Sequence, residues 1–126
     1  MNKLIIDVTG ENIFLMIITN NDIHNIKKEN TKINCEQLTI IINDFLNLYK
    51  LNLKNVSKIY LNRGPGSFAG IRNSLSIVKA VKLVKKIDYY CYSIDDFKGE
   101  KNVKYENIPD LCEKFKIEKN LINPIY

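Results

Sequence analysis

Gly64, Gly66 and Gly70 lie within seven residues, after the strand-like Ile59-Tyr60-Leu61-Asn62 and before a helical run, a spacing that suits a phosphate cradle. Loops of the Walker type end in Gly-Lys-Ser/Thr, the lysine reaching phosphate and the hydroxyl a magnesium ion; here Ile71 and Arg72 follow Gly70, and that chemistry fails. A dinucleotide fingerprint matches loosely, but such loops usually follow the first strand, and roughly sixty residues come before this one. A small nucleotide- or dinucleotide-binding module using Gly64 to Gly70 stays an alternative. The other reading is a tight strand-to-helix turn, in which Pro65 has no N–H for a ladder and the glycines adopt angles that other residues avoid.

The remaining reactive side chains are scattered. A two-metal nuclease needs several carboxylates converging from the first strand, first helix and fourth strand. Asp7 and Glu36 fit the first two places, but the fourth strand ends in Asn62 and Arg63, which disfavours a nuclease. His24 is the single histidine and has no second ligand beside it. Cys35, Cys91 and Cys112 are odd in number and far apart, without a Cys-x-x-Cys, so they read as small buried hydrophobes in a reducing compartment.

The elements that must position these groups follow from periodicity. Leu4 to Val8, Ile13 to Thr19 and Ile23 to Ile26 read as three antiparallel strands, the third short and at an edge, followed by a polar loop from Lys27 to Lys32. Asn34 with Gln37 suggests a capping box, and Leu38, Ile41, Ile42, Phe45, Leu48 and Tyr49 then recur at helical spacing. A strand over Lys58–Asn62, a helix capped by Ser67 and a strand over Tyr89–Ser93 complete the order βββαβαβ. Hairpin strands followed by helical crossovers predict an α/β fold: one actin-like, ribonuclease H-like lobe with a five-stranded mixed sheet. On the second helix Ile77, Val78, Ala80, Val81 and Val84 cover more than an ordinary core-facing stripe, which predicts an interface.

At 126 residues and 45% hydrophobic, the chain suits one domain with its own core. The net charge of +5 raises nucleic acid as a partner, with Lys79, Lys82, Lys85 and Lys86 as a basic tRNA-binding alternative. Ile, Asn and Lys dominate the composition, however, so many lysines reflect compositional bias. The apolar run Ile13 to Ile18 is far too short to span a membrane, and the expected location is cytoplasmic.

From Asn62 to Arg72 the chain reads NRGPGSFAGIR, which resembles the TsaB family of bacterial tRNA threonylcarbamoyladenosine biosynthesis proteins, whose pattern runs Gly-Arg-Gly-Pro-Gly-Ser-Phe-Thr-Gly-Leu-Arg. The matching loop residues are Arg63, Gly64, Pro65, Gly66, Ser67, Phe68 and Gly70. The likeness extends more weakly to Ile6-Asp7-Val8-Thr9, to Ser93 through Phe97 and to the ending Asn123-Pro124-Ile125-Tyr126. Ala69 replaces the usual Thr, and Asn73-Ser74 replaces an Ile-Gly pair. The resemblance implies a TsaB-like first lobe over residues 1–98, with 99–126 a remnant of the second lobe and a tail.

It also implies a protein that is not itself a catalyst and binds no cofactor or metal alone. Members of this family pair with TsaD, which transfers the threonylcarbamoyl group to tRNA, alongside the ATPase TsaE. By analogy the first-lobe helices meet the partner's in a four-helix bundle, through Leu38, Ile41, Ile42, Phe45, Phe68, Ile71, Leu75 and Val78, with Arg72 facing a carboxylate across the interface. A homodimer is an alternative for the chain when alone, with tRNA contacted only indirectly.

Overall fold

Both faces of the first two strands are apolar, so the sheet must be covered twice. The computed structural model describes all residues, 1–126. In β1 (Lys3–Asp7) and β2 (Asn12–Ile18), Leu4, Ile6, Ile13, Leu15 and Ile17 point to one side, while Ile5, Phe14 and Met16 point to the other. All are buried. The strands pair antiparallel, with Ile5 opposite Met16 and Ile6 opposite Leu15.

β3 (Ile23–Glu29) forms one edge and runs three residues past its expected end, since its pairing with β2 continues until Glu29 faces Asn12. Lys27, Lys28 and Glu29 are exposed there, and charges of this kind guard an edge against further pairing. His24 stacks on Tyr49, centroids 3.8 Å apart, which accounts for it structurally. β4 (Lys58–Asn62) and β5 (Asp88–Tyr92) add in parallel, giving the order β3-β2-β1-β4-β5. The sheet is mixed and five-stranded, as the sequence predicts.

α1 (Lys32–Glu36) starts earlier than expected. Thr31 is the cap, its hydroxyl accepting from the Asn34 N–H at 3.1 Å, while the Asn34 amide donates to the Glu29 carbonyl at 2.8 Å. The Asn34–Gln37 capping box is therefore not formed; Gln37 instead breaks the helix from α2 (Leu38–Leu48). α3 (Phe68–Lys85) begins on Ser67, whose hydroxyl accepts from the Gly70 N–H at 3.2 Å, and ends on Lys86 in the left-handed region. These helices cover the Leu4–Ile6–Leu15 face.

The opposite face is covered by residues the sequence reading set apart. α4 (Ile108–Lys114) and the preceding Phe97 place Ile108, Leu111 and Cys112 against Ile5, Phe14, Met16, Tyr60 and Tyr92. Residues 99–126 thus share the core of the sheet and do not form a separate body. No helix is long and apolar enough to cross a membrane.

Candidate functional site

β1, β4 and β5 run parallel, and their carboxyl ends open on a cleft of about 490 Å³ lined by Asp7, Thr9, Asn62, Ser93, Asp95 and Tyr105. Open α/β sheets place their ligand sites at such ends. Asp7, however, is already engaged. Its Oδ1 accepts from the Thr9 N–H at 3.0 Å and the Thr9 hydroxyl at 2.7 Å, and its Oδ2 from the Asn62 amide at 3.1 Å and the Tyr105 hydroxyl at 2.8 Å. Four donors use the roughly four lone-pair positions of a carboxylate. Burial, and then the charge of Asp7, push the Tyr105 phenol well above its ordinary range, so it stays a donor.

Glu36 is exposed on α1 and lines a different groove, so the carboxylates expected for a nuclease do not converge. No three His, Cys, Asp or Glu side chains come together. Burial raises the thiols of Cys91 and Cys112 to about 12, which leaves them protonated and poorly nucleophilic near neutrality.

The glycine loop closes on the chain's own backbone. A β-carbon at Gly64 would lie 1.9 Å from the Ile125 carbonyl oxygen; at Gly66, 2.3 Å from that of Thr9; at Gly70, 2.2 Å from that of Val8. The side on which each glycine lacks a β-carbon is thus filled by the chain's own backbone. Ser67 N–H donates to Thr9 at 2.8 Å, and Ile125 N–H to the Arg63 carbonyl at 2.8 Å. The Arg63 guanidinium spans two segments, one nitrogen donating to the Asn123 carbonyl and the other to Asp96, both at 2.9 Å. Arg63 through Gly70, with Pro65 exposed at the tip, therefore clamps the β1–β2 turn, the segment after β5 and the tail.

The helix residues expected at a partner interface divide sharply. Leu38, Ile41, Ile42, Phe45, Ile71, Leu75 and Val78 are at most 7% exposed and pack in the core beneath the sheet, so they are not available to a partner. The correction has a simple cause: each helix carries two apolar arcs, and the stronger one faces the sheet. Phe68 is 55% exposed, with Tyr126 beside it and the Arg72 guanidinium 5.3 Å from its ring centre, so within the chain Arg72 lies over an aromatic face.

The outward arc of α3 is Ala69, Ser76, Ala80, Leu83 and Val84, all exposed. It lies opposite Ile71, Leu75 and Val78 on a 100° wheel. α1 and α2 add exposed Ile33, Ile40 and Leu48. Thr39, Asn73, Ser76 and Ile77 line the groove between α2 and α3. The wide apolar arc at Ala80 and Val84 signalled this surface in the sequence.

No protein-family model matches the sequence, and no curated protein matches it. Among solved structures the fold is similar to YeaZ from Pseudomonas aeruginosa, with a TM-score of 0.67 at 20% identity, covering 73% of this chain and 43% of that one. A structure described as an uncharacterized protein with similarity to peptidase YeaZ from Pseudomonas aeruginosa matches with the same figures. RuvC from T. thermophilus, in complex with a Holliday junction substrate, matches with a TM-score of 0.52 at 12% identity, over 78% of this chain and 68% of that one. The chain therefore spans less than half the length of the YeaZ structures, and the fold is ribonuclease H-like.

Proposed function

We propose that the chain is a non-enzymatic partner subunit of the TsaB type, pairing with and stabilising a TsaD-like subunit that carries threonylcarbamoyl transfer to tRNA. The observation that carries this reading is the Arg63–Arg72 motif: it resembles the TsaB pattern, and its glycines, Ser67 and Arg63 are all engaged in holding the chain together. The likeness of fold to YeaZ, also called TsaB, supports it. So does the exposed arc of α3, where the small side chains of Ala69, Ser76 and Ala80 let another helix approach closely for ridge-and-groove packing. A TsaE-like ATPase completes the proposed assembly in the cytoplasm, and a homodimer through the same arc forms when the partner is absent.

Co-expression with the TsaD-like subunit of the same source tests the reading. A stoichiometric complex on a sizing column is expected, together with loss of threonylcarbamoyladenosine from tRNA when the chain is depleted. Separate elution of two folded proteins, or unchanged tRNA, would count against it.

A further inference from the structure

The sheet has a second cleft, at the end opposite the Asp7 site. The amino ends of β1, β4 and β5 meet there, and about 360 Å³ is lined by Lys3, Lys58, Lys116, Tyr60, Tyr90 and Glu113 among others. Lys3 and Lys58 are register partners across the parallel β1–β4 pair. Like charges placed directly opposite are unfavourable, and neither lysine, nor Lys116, has an ion-pair partner. Lys54 just before β4, and Lys85 and Lys86 at the carboxyl end of α3, put further positive charge at the same end.

Aromatic surface lies beside the charge. Tyr60 and Tyr90 stack with centroids 5.1 Å apart, Tyr90 is only half-buried, and Lys58 Nζ sits 5.8 Å from its ring centre. Ammonium groups that follow a phosphate backbone, next to a ring on which a base stacks, are the combination used to hold single-stranded nucleic acid. Glu113 at the rim opposes such a ligand, and so does Asp88, the register partner of Lys58 on β5.

We propose that this cleft binds the phosphates of a single-stranded RNA segment, through Lys3, Lys58 and Lys116, with Tyr90 as a stacking surface. The proposal does not depend on the chain having an actin-like partner. It also differs from the expectation that basic contacts would run along α3, where Lys82 is held by Asp88 at 2.6 Å.

Fluorescence anisotropy of a labelled oligouridylate with the full chain tests it. The double variant K3Q/K58Q should bind roughly tenfold more weakly and flatten the dependence of log affinity on log salt by about 1.4, two contacts at ~0.7 each. E113Q should tighten binding, and the control K27Q/K28Q on the β3 edge should leave it unchanged. Equal losses in both lysine pairs would mean diffuse attraction to a basic surface and would overturn the site. Undiminished binding by K3Q/K58Q, with its melting temperature unchanged, would do the same, as would equally tight binding of uridine monophosphate, which would make the ligand a free nucleotide.

Discussion

Gly64 and Ile125 meet backbone to backbone: a β-carbon on the glycine would fall 1.9 Å from the Ile125 carbonyl oxygen, while the Ile125 N–H donates to Arg63 at 2.8 Å. The loop after β4 and the end of the chain are therefore one structural unit. Gly64 also has φ near +113°, a second and independent reason for glycine. Gly64→Ala is expected to cost on the order of 3 kcal/mol. Removing residues 122–126 relieves the clash with Ile125 and leaves the backbone strain and a 3.0 Å approach to the Ile71 side chain, so the same substitution should then cost less, about 1–2 kcal/mol. Urea melts of the four proteins measure both costs; equal values would show that Ile125 is not what excludes the side chain.

Asp7 joins three segments by accepting from Thr9, Asn62 and Tyr105. Asp7→Asn replaces one acceptor oxygen with a donor and sets it against donors already in place. A loss of about 2–3 kcal/mol is expected, because buried donors lose their partner. Glu36→Gln on the exposed surface of α1 should stay within about 0.5 kcal/mol. If Asp7→Asn leaves the urea midpoint unchanged, the carboxylate is not a structural clasp.

What was legible in the chain depended on whether one local signal stood alone. Ser67 followed a proline–glycine turn and had no rival, so the start of α3 was readable. At Asn34 two caps competed. The Asn34–Gln37 pair imitated a capping box, but Thr31 three residues earlier took the amide, and only the pairing of β3 out to Glu29 brought Thr31 into position. The apolar arcs of α3 were visible as a pattern, yet periodicity does not say which arc faces the sheet; that depended on β4 and β5 lying beneath the helix. α4 has only seven residues, too few for its Ile108–Leu111–Cys112 face to stand out. The clamp formed by Arg63, Asp96 and Asn123 joins positions far apart in sequence and left no local trace.

A pH effect follows from Asp88. Hydrogen bonds from Lys82 at 2.6 Å and Asn120 at 2.9 Å hold its carboxyl below the usual carboxylate range. The folded state thus keeps Asp88 ionised at a pH where the unfolded chain has begun to protonate it. The contribution is fully present above the unfolded value of about 3.9 and is lost as pH falls through the folded one. Lys82→Met should lower the melting temperature at pH 7 more than at pH 3. A penalty of the same size at both would remove Asp88 as the cause.

The division of α2 and α3 into inner and outer arcs predicts opposite outcomes for substitutions of one kind. Leu75 is 5% exposed, and Leu75→Asp would bury a charge with no partner among Ile71, Val78 and the sheet. A loss on the order of 3–5 kcal/mol is expected, enough to unfold a domain of this size under mild conditions. Ile40 and Ala80 face outward, so Ile40→Asp and Ala80→Asp should each change stability by no more than about 1 kcal/mol, mainly through helix propensity. Each would nevertheless set an unpaired charge where a partner helix is proposed to pack, and should weaken the complex with the TsaD-like subunit at least about tenfold. Melting temperature and complex formation therefore separate the two arcs: the inner variant loses its fold, and the outer ones keep the fold and lose the partner. A full-strength complex formed by a folded Ile40→Asp/Ala80→Asp double variant would mean that the partner sits on a different surface.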